Sequence, residues 1–181
     1  MKTRINLFPK ILIACAIVMY SCGGEQKEKA PAETSGSEFL KEETPAYDAK
    51  AIDANAPVAE LTIKTIGNTM AEMKYDLGEL RVKAGSTVKL TLINLATDSS
   101  MQHNFVLIDK DALDKVAAEG LKAGLDNQFV PAIDEVLIAT KLLMPAETTT
   151  IIFTAPPAGE YKFVCTYPGH AGKMNGKFMV E

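Results

Sequence analysis

Residues 58–181 predict an all-β fold, a Greek-key β-sandwich of about eight short strands with one short helical insert, on three grounds. Short runs rich in Val, Ile, Leu, Thr, Phe and Tyr recur along this stretch. Gly and Pro punctuate them, and one segment switches from period-two to helical spacing. Strands are expected at 60–66, 70–75, 79–83, 87–95, 102–108, 136–140, 148–153, 160–166 and 176–180. Alternation is clean at 87–95, where Val88, Leu90 and Leu92 share one face while Lys89 and Thr91 take the other. Ahead of the run at 136–140, Leu113, Val116, Ala117 and Leu121 recur at helical spacing. Asp109 or Asp111 can cap that helix and Gly124 can end it.

The segment before the sandwich reads differently. Residues 1–21 carry Lys2, Arg4 and Lys10, then the apolar run 11–20, then small residues around Cys22, which is the build of a signal peptide and too short for a spanning helix. It resembles bacterial lipoprotein signals, so Cys22 is the expected acylated N-terminus. Leu12-Ile13-Ala14-Cys15 fits the usual lipobox wording better, but cleavage there would leave an apolar tail on the mature chain. Residues 22–57 turn to Glu, Lys, Ala, Pro, Thr and Ser, too polar to offset their ordering entropy, and are expected to form a flexible linker with a reach of roughly 30 Å.

Composition narrows the function. Of the 181 residues, 47% are hydrophobic and 23% charged, enough for one ordinary domain. The formal charge is −4; without Lys2, Arg4 and Lys10 there remain 16 basic against 23 acidic residues, or −7, which argues against nucleic acid as a partner. Three Cys are too few for a disulfide scaffold.

The chemistry is concentrated near the C-terminus, in Cys165-Thr166-Tyr167-Pro168-Gly169-His170-Ala171-Gly172-Lys173-Met174. This C-x4-H-x3-M run places a thiolate, an imidazole and a thioether on one short loop, a donor set that selects copper over hard cations. The remaining histidine of the chain, His103, begins an expected strand, whereas Cys165 ends one, and such points meet when two strands run antiparallel. Period-two parity agrees: Tyr161, Phe163 and Cys165 share a face, as do His103, Phe105 and Leu107. Taken singly, a His, a Cys or a Met is ordinarily packing. Both histidines and the lone Cys of the folded region falling at one pole, with a Met in step, point to a metal site.

These motifs resemble the azurin family and, more broadly, the cupredoxins. The likeness runs over 58–181 and is strongest in Met101-Gln102-His103-Asn104-Phe105-Val106-Leu107, Ala123-Gly124-Leu125-Asp126, Thr140-Lys141-Leu142 and the loop from Cys165 to Met174. It implies an eight-stranded sandwich with a helical flap between the fourth and fifth strands, and one type 1 copper held by His103, Cys165 and His170 with Met174 as a long axial contact. The carbonyl of Gln102, where the family has Gly, is implied as a weak opposite contact. By the same resemblance Asn104 ties the two ligand loops, and the N–H groups of Asn104 and Tyr167 donate to the thiolate. The family's disulfide near the N-terminus is missing.

The expected function is an exported, membrane-tethered electron carrier that cycles copper between two oxidation states. His170 is expected to show its ring edge at the surface, framed by Met101, Pro168, Gly169 and Ala171. The implied partners are redox proteins such as c-type cytochromes or respiratory enzymes, and a lipid membrane through Cys22. A copper oxidase or nitrite reductase needs a second centre, for which no histidine is left. A copper chaperone or storage lipoprotein is the alternative, with Met70, Met73, Met101, Met144, Met174 and Met179 scattered rather than clustered in the sequence.

Overall fold

The computed structural model describes residues 55–181; the expected signal peptide, Cys22 and residues 23–54 lie outside the described residues. Among the described residues there are nine strands: β1 Val58–Ile66, β2 Lys74–Tyr75, β3 Glu79–Val82, β4 Thr87–Asn94, β5 Val106–Asp109, β6 Val136–Ala139, β7 Thr148–Thr154, β8 Gly159–Val164 and β9 Asn175–Val180. They form a four-stranded sheet in the order β2-β1-β4-β7 and a five-stranded sheet in the order β3-β9-β8-β5-β6. β1 runs parallel to β4 and β3 parallel to β9, so each sheet is mixed.

Alternation positions the core. β4 buries Val88, Leu90 and Leu92 completely, each worth roughly 1.5–3 kcal/mol as an upper bound, and turns Lys89 to solvent. These residues meet Ile63, Phe105, Leu107, Phe153, Phe163 and Phe178 between the sheets. The opposite parity of β5 and β8, namely Val106, Ile108 and Val164, packs under Ala112 and Val116. The helix α1, Leu113–Ala123, thus covers the outer face of the five-stranded sheet, which is why β5 has no polar side until Asp109.

The helix ends at Gly124 as expected, but its start differs. Its N-cap is Ala112, with no side-chain cap, because Asp109 still belongs to β5 and Asp111 falls one residue early. Leu121 is 57% exposed rather than packed. The insert lies between β5 and β6, one strand later than the resemblance implies, because the two-residue β2 counts as a strand.

The strand expected at 70–75 shrinks to Lys74–Tyr75, since the preceding residues form a turn in which Thr69 accepts from the N–H of Glu72 and Met73. The strand expected at 102–108 begins only at Val106, and that expected at 160–166 stops at Val164. Both are shortened at the same pole of the sandwich.

Gly176 is required by close approach. It pairs with Phe163 across β8 and β9, and a Cβ there would enter the Phe163 ring and come within 2.7 Å of the Gly78 carbonyl. Gly176→Ala should destabilise the domain by about 1–3 kcal/mol in urea unfolding, as overpacking does. Gly78→Ala, whose Cβ would meet nothing within 4 Å, is the matched control and should stay close to wild type.

Candidate metal centre

The register of β5 against β8 brings the expected residues together. Val106 pairs with Val164 in antiparallel fashion, so the continuation of each strand sets Phe105 and Asn104 beside Cys165 and Thr166. His103 makes an isolated antiparallel bridge to Leu143, exchanging N–H···O bonds of 3.1 and 2.8 Å. Between that bridge and β5 the ladder is broken by side chains. The Phe105 N–H donates to Thr140 Oγ1 at 2.9 Å, and the Asn104 N–H turns to the Cys165 sulfur. Strand pairing would use that N–H for a carbonyl, which is why the ladders stop short here.

The second half of the centre is a tight loop. Pro168 and Gly169 reverse the chain, with Gly169 at φ 80° and the His170 N–H donating to the Tyr167 carbonyl at 3.0 Å, the pattern of a Pro-Gly turn needing a positive φ. The Met174 N–H then donates to the His170 carbonyl at 2.8 Å and the Met174 carbonyl accepts from the Cys165 N–H at 2.9 Å. Met174 is wholly buried next to the cysteine in this way.

Three donors converge. His103 Nδ1 and His170 Nδ1 lie 3.2 Å apart, and Cys165 Sγ lies 3.8 Å from the first and 3.7 Å from the second. Three donors about 2.0–2.3 Å from one central first-row ion stand roughly 3.5 Å from one another, so these spacings fit such an ion. His103, Cys165 and His170 are at most 1% exposed, which leaves no room in the group for hydration. The expected surface edge of His170 is therefore corrected: its ring lies under Tyr167 at 4.7 Å between centroids, and its Nε2 is buried. Met101, expected on the rim, is only 4% exposed, while Met70, 49% exposed, lies against Gly169 instead.

Asn104 clasps the two loops. Its Nδ2 donates to Thr166 Oγ1 at 2.9 Å and its Oδ1 accepts the Thr166 N–H at 2.9 Å. Its carbonyl accepts from the buried Tyr75 hydroxyl at 2.6 Å. Tyr167 supplies a second N–H to the sulfur. Gln102 precedes His103 without a positive φ, so replacing the family's Gly costs no backbone strain.

Several contributors carried no sequence signal. Asn94 is wholly buried, and its Nδ2 donates to the carbonyls of Met101 at 2.8 Å and Leu143 at 3.2 Å, on either side of the His103 bridge. Its Oδ1 accepts from Thr65 and from the Ala96 N–H. An Asn at a strand end reads as a turn residue; only the fold turns it inward.

Burial sets the protonation of the group. It drives His103 down from 6.5 to about 4, helped by the neighbouring His170, and His170 likewise to about 4. It pushes the Cys165 thiol up from 9.0 to about 11 against the two N–H donors. Below pH 6.5 the unfolded chain takes up imidazole protons that the folded domain resists down to about 4, so stability falls as pH drops through that window. Above pH 9.0 the unfolded thiol ionises while the folded one holds its proton to about 11, so stability falls as pH rises there. Thermal melts of the metal-free domain should therefore peak between those windows. Replacing both histidines by Gln should flatten the acid limb, and an unchanged limb would assign it to other groups.

Comparison with known proteins agrees with this geometry. The profile of the family described as copper binding proteins, plastocyanin/azurin family, matches residues 61–181. Auracyanin-A of Chloroflexus aurantiacus is 37% identical over 119 residues, 64% of this chain and 72% of that protein. Outer membrane protein H.8 of Neisseria meningitidis is 36% identical over 113 residues, 58% of this chain and 60% of that protein. The structure of dithionite-reduced auracyanin from Roseiflexus castenholzii superposes with a TM-score of 0.60 at 37% identity, covering 67% of this chain and 96% of that one. The chain accordingly belongs to the plastocyanin/azurin family, as an azurin-like blue copper protein of the electron-transfer class whose cofactor is a single copper.

Proposed function

We propose that the protein is a membrane-tethered electron carrier in which His103, Cys165 and His170 hold one type 1 copper. Met174 would lend its thioether as a further, weaker ligand, and the backbone carbonyl of Gln102 a still weaker one. The observation that carries this reading is the trio of buried soft donors 3.2–3.8 Å apart. When bound, copper supplies a one-electron couple between Cu(II) and Cu(I). The chain's own residues keep the donors from moving between the two states. The Asn104–Thr166 clasp fixes the loops to each other, and the His103–Leu143 bridge fixes the first histidine to the neighbouring strand connection. Such anchoring leaves little to reorganise on electron gain or loss. The N–H donors of Asn104 and Tyr167 disperse charge on the sulfur and tune the potential.

A catalytic role would need a further metal or substrate centre. With two histidines in the whole chain and both in this group, a second histidine-ligated copper has no ligands. A chaperone or storage role favours donors open to exchange, and burial of all three donors argues against it. Exchange partners are redox proteins such as c-type cytochromes or respiratory enzymes. They would approach the pole where Met70, Pro168, Gly169 and the exposed Leu121 flank the Tyr167–His170 pair.

Cys22 is the proposed lipid anchor, facing the periplasm. Its support is the signal-peptide build of residues 1–21 and the relationship to a protein named as an outer membrane protein.

Two experiments separate these claims. Residues 54–181 loaded with Cu(II) should show an intense visible thiolate-to-copper band that Cys165→Ser abolishes. A colourless loaded domain would end the copper-carrier reading. In cells, Cys22→Ala should move the protein from the membrane to the soluble fraction, and continued membrane retention would remove Cys22 as the anchor.

A further inference from the structure

The insert does more than cover the sheet. It ends in a short 3₁₀ turn, Leu125–Asn127, followed by two successive residues in the left-handed region, Gln128 at φ 54° and Phe129 at φ 59°. Neither is glycine, and side chains disfavour this conformation, so a pair of them persists only where surrounding contacts over-determine the backbone. Here they do. The Gln128 N–H donates to the Leu125 carbonyl at 2.7 Å, the Phe129 N–H to the Gly124 carbonyl at 2.9 Å, and the Val130 N–H to the Asn127 carbonyl at 2.9 Å.

The conformation points three groups at the metal pole. The Gln128 carbonyl accepts from Asn104 Nδ2 at 3.1 Å. The Gln128 side-chain Oε1 accepts from the Leu142 N–H at 2.7 Å. The Phe129 ring stands edge-on to Tyr167, 5.3 Å between centroids and 74° between planes. Each receiver borders a donor. Asn104 follows His103 and gives its N–H to the Cys165 sulfur; Leu142 precedes the Leu143 that bridges His103; Tyr167 gives its N–H to the same sulfur and overlies His170. A turn needed only to reverse the chain would use neither an amide acceptor nor an aromatic ring at these positions.

We infer that Gln128 and Phe129 form a brace, a pair of positioning residues on the helical insert that holds all three metal donors at their mutual spacing. The inference rests on the proposed metal site, but the brace exists in the metal-free protein and can be tested there. With it intact, the loops bearing Asn104, Leu143 and Tyr167 cannot separate without breaking contacts to a third element. Without it, the first and last of them are tied to each other by the Asn104–Thr166 clasp and through the Cys165 sulfur.

The test compares Gln128→Leu, Gln128→Gly and Phe129→Ala with the conservative Gln128→Glu and Phe129→Tyr. Two readouts are taken from the full folded domain: amide hydrogen exchange without metal, and Cu(I) affinity by chelator competition. The first three variants should speed exchange at Leu142, Leu143 and Tyr167 by about tenfold while β1 and β4 stay as in wild type. They should weaken Cu(I) binding by about 10–100-fold, the usual cost of losing an outer support. The two conservative variants should retain both properties. Gln128→Gly is decisive, because it relieves the left-handed strain and removes the side-chain acceptor together, so the melting temperature should not fall while the site loosens. Exchange unchanged at those three amides, or accelerated equally through β1 and β4, would overturn the brace. Wild-type protein that fails to bind copper would instead overturn the metal reading, and the exchange data would still decide whether the brace exists.

Discussion

Two imidazole nitrogens and a thiol meeting at 3.2–3.8 Å in a place closed to water are the constraint around which this domain is arranged. Polar atoms buried without partners are costly, and the protein accepts that cost at one pole. Both Nε2 atoms lack partners among the described residues, and the sulfur has only two N–H groups aimed at it. Burial answers by keeping each group neutral in the metal-free protein, with imidazoles down at about 4 and the thiol up at about 11. The same neutral, soft, dry environment favours copper over a hard cation.

Holding such a group together takes more than the two strands that deliver it. Asn94 at the end of β4 fixes the loops on either side of His103, Tyr75 in the two-residue β2 grips the Asn104 carbonyl, and Asn104 clasps Thr166. The four-stranded sheet thus contributes supports while the five-stranded sheet and its extensions contribute donors. β1 and β4 run parallel from Val58 and Thr87, and β4 reaches the metal pole with Asn94, its last residue.

Much of this was readable beforehand. The parity of Phe163 with Cys165 and of Phe105 with His103 places both donors on the inward face, and the structure packs Phe105, Leu107, Phe163 and Cys165 in one cluster, with His103 buried 3.8 Å from the sulfur. Strand ends were less readable. Residues 102–105 and 165–166 look like strand because their side chains alternate, yet the N–H groups of Asn104, Phe105 and Thr166 are directed to a sulfur and to side-chain oxygens. Periodicity reports where side chains point and is silent on which acceptor a backbone donor finds. The helix start is hidden from the sequence for a related reason: Asp109 and Asp111 are good caps by type, but strand pairing claims the first.

The sequence by itself determined the donor set, the sheet-forming pattern and the inward parity, because residue chemistry and period two are local properties of the chain. Tertiary structure alone decided that His170 is covered, that Asn94 and Tyr75 turn inward as supports, and that Gln128 and Phe129 adopt left-handed backbone to reach both ligand loops. Each of those depends on which distant segment arrives opposite, and a contact between residues tens of positions apart leaves no periodic trace in either one.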